Sequence, residues 1–212
     1  NPKHFGATYN KAEALMDAGR RDEALETYRA ALSCDIPDAS HAALLGDRLS
    51  SVLLWREAIE AYTAAYALSK HPAHILKRSA AREVLKDNDL AMKDLDEAVA
   101  ADPDLARAWA LRGTLAAKMG NEKQALADLS RAFRIDSKSV DVLMARASVM
   151  ARLRQPREAV EDYSEALELD PGLAEAYNSR AALHANYMSD LDSALKDILK
   201  AVELRPSDAG FH

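Results

Sequence analysis

Arginine and aspartate recur in this 212-residue chain with a fixed spacing. Arg78, Arg112, Arg146 and Arg180 follow one another at intervals of 34, and Asp94, Asp128, Asp162 and Asp197 trail them by 16 or 17 residues. A guanidinium is a planar fork that a carboxylate accepts in bidentate fashion, so the spacing predicts a ladder of structural ion pairs. Arginines left to line a groove would instead grip acidic ligands. His71 and His74 stand at i and i+3 and could supply two zinc ligands, but a structural zinc site takes four and no others are close in sequence. Cys34 is the only cysteine, which rules out an intrachain disulfide and fits a reducing compartment. With no general base near it in sequence, it reads as a buried, inert thiol. Carboxylates such as Glu23 and Glu97 fall on repetitive helical faces, where solvated charge is the default. The chain contains no Gly-rich phosphate loop, no HExxH and no Cys-x-x-Cys. These residues predict no catalytic site, no cofactor and no metal.

The elements that position the arginines and aspartates are repeats. Ala24, Ala58, Ala91, Ala125, Ala159 and Ala194 recur at intervals of 34, 33, 34, 34 and 35. A larger residue follows each by four positions (Tyr28, Tyr62, Leu95, Leu129, Tyr163, Ile198), and a second alanine by seven (Ala31, Ala65, Ala98, Ala132, Ala166, Ala201). Such a period means a stack of small units, each unable to bury its apolar face alone. Each unit resolves into two amphipathic helices, the alanines letting neighbouring helices approach closely. In the fourth, Ala106 to Met119 and Glu122 to Ile135 flank a Gly120-Asn121 turn whose glycine supplies positive φ. Asp102-Pro103, Asp170-Pro171 and Arg205-Pro206 end second helices, because the residue before proline avoids the α region. The last unit has one extra residue around Asn186–Ser193, which predicts a longer inter-helix turn.

These residues resemble the tetratricopeptide repeat family, whose pattern runs Trp-x2-Leu-Gly-x2-Tyr, then Ala-x3-Phe, Ala and Pro. Trp109 and Gly113 match in the fourth unit, Ala159, Tyr163, Ala166 and Pro171 in the fifth, Gly46 and Gly19 in the second and first. The resemblance spans units near 5–38, 39–71, 72–105, 106–139, 140–173 and 174–208, with 209–212 as the tail of a fragment. It implies an all-α, right-handed α-solenoid of antiparallel helix pairs. Arg78, Arg112, Arg146 and Arg180 stand where the family usually has leucine. The first two units lack both members of the Arg–Asp pair, carrying Lys11 and Thr27, then Leu45 and Ala61.

The resemblance also implies a function: a protein–protein interaction scaffold that binds a peptide or protein segment along first-helix positions, without chemistry of its own. Carried over unit by unit, the groove includes Tyr9, Glu13, Asp47, Arg107, Ala110, Thr114, Lys118, Asp141, Met144, Ser148, Arg152, Asn178 and Asn186. Glu13, Asp17 and Asp47 would make one end acidic, and Arg107, Lys118 and Arg152 the later part basic, which would orient an extended ligand. The alternative is a regulatory or substrate-recruiting segment of a larger enzyme or co-chaperone. One subtype grips the terminal carboxylate of chaperone tails with a set of lysines, asparagines and an arginine. No three consecutive units supply it; Lys77 and Asn178 are isolated matches. The net charge of −6 disfavours nucleic acid as a partner. No apolar run approaches the ~20 residues that span a bilayer, and a cytoplasmic location is expected. The last unit, with no polar capping helix after it, should leave an apolar face open to further sequence, a partner or a second copy.

Overall fold

The computed structural model describes residues 4–205, and the expectations for Pro206 and the 209–212 tail lie outside them. The described residues form twelve α-helices: α1 (Phe5–Asp17), α2 (Arg21–Leu32), α3 (Ala39–Ser51), α4 (Trp55–Ser69), α5 (Pro72–Val84), α6 (Asn88–Ala101), α7 (Ala106–Lys118), α8 (Glu122–Ile135), α9 (Val140–Arg152), α10 (Pro156–Leu169), α11 (Ala174–Leu183) and α12 (Leu191–Leu204). Each odd-numbered helix packs against the even-numbered one that follows. The chain divides into two compact units, Asn1–Pro103 with α1–α6 and Asp104–His212 with α7–α12. No helix among the described residues is long and apolar enough to cross a membrane.

The alanine beat is the core of this arrangement. Every alanine of both series is buried, and so are Tyr28, Tyr62, Leu95, Leu129 and Tyr163 between them. Only Ile198, in the last repeat, stays partly exposed. Glycine marks the closest helix–helix approach in two repeats. A Cβ at Gly46 would lie 2.5 Å from the Tyr62 ring, and one at Gly113 would lie 2.8 Å from Leu129 Cγ. Gly19 does not do the same job in the first repeat. It sits in the turn after α1 with φ +72°, like Gly120 at +83°, and a Cβ there would meet nothing within 4 Å.

That turn recurs in every repeat, and in five of them it is built alike. A single residue takes positive φ: Gly19, Leu53, Lys86, Gly120, Arg154 and Ser189. In the first five the next amide reaches back to the carbonyl five residues earlier, as in Leu54 N–H to Leu49 O at 2.8 Å and Asn121 N–H to Ala116 O at 2.8 Å. This is a Schellman closure, and it satisfies carbonyls that a helix end leaves open. The sixth differs. Its extra residue does not lengthen the turn but is wound into the helix as a π-helical segment, His184–Met188, closed by Ser189. A π-bulge absorbs one residue without breaking the hydrogen-bond ladder.

Second helices end in an extended aspartate: Asp102 (φ −140°), Asp136 (φ −133°) and Asp170 (φ −138°). Asp136 is followed by serine, so proline is not the sole cause. The Asp136 and Asp170 carboxylates accept the amides two residues on, at 3.2 and 2.9 Å, an Asx turn that sets the exit direction.

Candidate binding groove

The Arg–Asp ladder exists, and each pair closes within its own repeat, first helix to second. Arg112 Nη2 donates to Asp128 Oδ1 at 2.7 Å and Nε to Oδ2 at 2.8 Å. Arg146 and Asp162 repeat that fork at 2.6 and 2.7 Å, and Arg180 and Asp197 at 2.8 and 2.8 Å. Arg78 donates to Asp94 at 2.6 Å, and Arg82 reaches the same carboxylate at 2.6 Å. All four aspartates are buried. The guanidiniums also lie over aromatic rings: Tyr66 for Arg78, Trp109 for Arg112, Phe133 for Arg146 and Tyr177 for Arg180. A third nitrogen of two arginines reaches the preceding repeat, Arg78 Nη1 to Thr63 Oγ1 at 3.4 Å and Arg180 Nη1 to Ser164 Oγ at 2.8 Å. Arg78 and Arg180 thereby tie neighbouring repeats together, and each of the four guanidiniums is engaged by a carboxylate of its own repeat.

The first two repeats have a different polar cluster, at residues assigned to the groove. Glu13 accepts from the Tyr28 hydroxyl at 2.6 Å and from Arg48 of the next repeat at 2.9 and 2.8 Å. Asp47 accepts from the Tyr62 hydroxyl at 2.9 Å and from Lys77 of the next repeat at 2.7 Å to each oxygen. Burial pushes the Glu13 carboxyl up, but the hydrogen bonds from Tyr28 and Tyr9 and the Arg48 charge bring it net below its usual value. The phenols move the other way. Burial, reinforced by Glu13, lifts Tyr9 and Tyr28 to about 12; burial and Asp47 lift Tyr62 to about 12. The expected acidic end is therefore largely neutralised by cations from the following repeat. Asp17 is exposed on the last turn of α1.

Four groove positions from neighbouring repeats come together in the second compact unit. Arg107, Ala110 and Thr114 on α7 and Asp141 on α9 line one cleft of about 500 Å³, with Leu111, Leu129 and Val142 as its apolar wall. Arg107 and Asp141 are both exposed, so the cleft carries charge of each sign. Lys118, at the last turn of α7, lies outside that lining. Arg152, at the end of α9, reaches the Ala117 carbonyl at 3.5 Å and Glu122 at 3.9 Å. Met144 and Asn178 are half-buried, Ser148 is exposed, and Asn186 sits exposed on the π-helical segment.

The candidate metal ligands have structural positions. His71 caps α5, its Nδ1 accepting the Ala73 amide at 3.2 Å, and its ring lies edge-on to His74 with centroids 6.0 Å apart. No group of three or more His, Cys, Asp or Glu among the described residues is placed to hold a metal ion. Cys34 is half-buried rather than buried, its Sγ 3.6 Å from Thr8 Oγ1 and 3.5 Å from the Ala30 carbonyl.

Comparison with known proteins gives a consistent answer. Three family models, each described as tetratricopeptide repeat, match residues 1–43, 106–139 and 140–173. Curated proteins give no significant match. Solved structures do. PilF of Pseudomonas aeruginosa is 19% identical and superposes with a TM-score of 0.74, covering 98% of this chain and 94% of its own. MamA of Desulfovibrio magneticus RS-1 is 18% identical with a TM-score of 0.72, covering 82% of this chain and 99% of its own. YrrB, described as a repeat protein of this family with an unusual peptide-binding site, is 22% identical with a TM-score of 0.69, covering 82% of this chain and 90% of its own. At these identities the likeness is one of fold.

Proposed function

Because this chain belongs to the tetratricopeptide repeat family, we propose that it is an interaction scaffold that seats an extended peptide or protein segment on its first-helix surfaces and performs no chemistry itself. The α7–α9 cleft is the seat. The observation behind this is that Arg107, Ala110, Thr114 and Asp141, assigned to the groove by the family resemblance, line one cleft. The small residues admit a ligand backbone, the partly exposed Leu111 offers an apolar contact, and Arg107 and Asp141 select the direction of a ligand carrying both charges. A binding site on a peptide-sized scale needs a few convergent polar groups on a largely preformed surface, and rigid helices supply that. One solved structure of this fold is described as having a peptide-binding site, which agrees with the reading.

The test is an affinity pull-down from a native extract with the parent chain and an Arg107→Glu, Lys118→Glu, Arg152→Glu variant. The reading predicts that partners retained by the parent are lost from the variant. Equal recovery of the same partners would remove this surface from consideration.

A further inference from the structure

Three of the four most exposed large apolar side chains among the described residues lie on α12: Leu191, Leu195 and Leu199, at 69%, 60% and 62% exposure. Spaced i, i+4 and i+8, they form one line along the helix. The opposite side of α12 is the packed one, where Ala194, Asp197 and Ala201 are buried.

The chemistry of this line breaks the rule of the interior repeats. Two residues after each ladder aspartate, interior second helices carry a polar residue: Asp96, Ser130 and Ser164. Thr63 holds the same position in the second repeat. Thr63 and Ser164 are where the guanidinium of the following repeat docks, at 3.4 and 2.8 Å. In the last repeat the position is Leu199. A further repeat of the same make, with its arginine at that contact, would meet a leucine in place of a hydroxyl, leaving a donor unsatisfied. The face fits an apolar partner instead.

We propose that this partner is a second copy of the chain, its α12 lying antiparallel across a two-fold axis at Leu195. Leu195 then meets its own equivalent, and Leu191 meets Leu199 of the other copy, as an isologous interface requires. The charged border beside the leucines is complementary in that register and that direction. Asp192 of one copy falls between Lys196 and Lys200 of the other, and the symmetry makes the arrangement twice. Lys200 already leans on Glu203 at 3.0 Å, which leaves Lys196 as the stronger contact. A parallel two-fold pairing would carry the two charged borders to opposite sides of the seam, where Asp192 meets neither lysine of the other copy.

Light scattering on the size-fractionated chain, over a dilution series, reads the outcome directly. The expected mass is that of two chains, falling to one on dilution. Leu195→Asp and Leu199→Asp are expected to give one-chain mass throughout, with an unchanged helical circular dichroism signal because both side chains are exposed. Asp192→Lys is expected to weaken the dimer, and adding Lys196→Asp and Lys200→Asp to restore it. In a Cys34→Ser background, Leu195→Cys treated with diamide is expected to form a disulfide-linked pair. One-chain mass for the parent at every concentration would overturn the proposal, as would a dimer that survives Leu195→Asp or a charge swap that fails to rescue.

Discussion

Removing Asp162 should unpair Arg146 where water cannot replace the carboxylate. Two charge-assisted hydrogen bonds, at 2.6 and 2.7 Å, join them, and the side chains are 11% and 7% exposed. The Arg146 guanidinium also lies 3.8 Å from the Phe133 centroid, a ring face that attracts the cation but does not replace the carboxylate. Breaking one member of a buried pair costs ~3–5 kcal/mol, because a desolvated charge is left uncompensated. The pair Arg131–Asp104 is the internal control, with a longer contact of 3.2 Å and side chains 37% and 85% exposed. Its loss should cost less than ~1 kcal/mol. Urea unfolding is the assay, since a guanidinium salt would screen both pairs. Repeat arrays can lose cooperativity along their length, so hydrogen exchange of the α9 and α10 amides should accompany the global signal. Asp162→Ala is expected to lower the urea midpoint far more than Asp104→Ala, with the loss centred on α9 and α10. Replacing both partners, Arg146→Met with Asp162→Leu, is expected to recover most of the loss. Equal shifts for Asp162→Ala and Asp104→Ala would mean that burial adds nothing to the Arg146–Asp162 pair.

The tyrosines give a prediction in alkali. Tyr9, Tyr28 and Tyr62 are held near 12 in the fold against an ordinary 10.0. A raised folded value means their contribution is full below pH ~10 and lost as pH rises toward 12. Tyrosinate absorbance should therefore show a component delayed toward pH 12, with melting temperature falling as pH rises from ~10 toward 12 and falling less in Tyr62→Phe. A single phase at the ordinary value for all seven tyrosines would contradict this. The turns give another. Leu53 occupies a left-handed turn position (φ 67°) while 66% exposed, so it carries backbone strain with little packing in return. Leu53→Gly should stabilise the chain by about 1 kcal/mol, and a midpoint that does not rise would show the turn to be unstrained.

The period, the helix pairs and the Arg–Asp ladder were legible because each is local or repeats in register. A side chain that pairs with the same partner in every unit leaves a spacing that can be counted, as Arg146 and Asp162 do. The clusters around Glu13 and Asp47 leave none. Arg48 reaches back 35 residues and Lys77 reaches back 30, from different positions of their repeats, so no common interval announces them. The charge on Glu13 and Asp47 looked available to a ligand for that reason. Left-handed turns at Leu53, Lys86 and Arg154 were likewise hidden, because the composition that signals positive φ is glycine, and here the turn is imposed by the packing of the two helices. The extra residue of the last repeat was visible as a count but not as a π-helical segment. A count says that the chain must absorb one residue but not that the helix takes it up at His184–Met188.

The proposed seating of an extended ligand in the α7–α9 cleft is open to direct measurement. Peptides selected from a displayed random library on the parent chain, then titrated by fluorescence anisotropy against Thr114→Trp and Arg107→Glu, test it most directly. Thr114→Trp is expected to abolish binding by filling the cleft, and Arg107→Glu to weaken acidic peptides most. Selected peptides that bind both variants as tightly as the parent would contradict it.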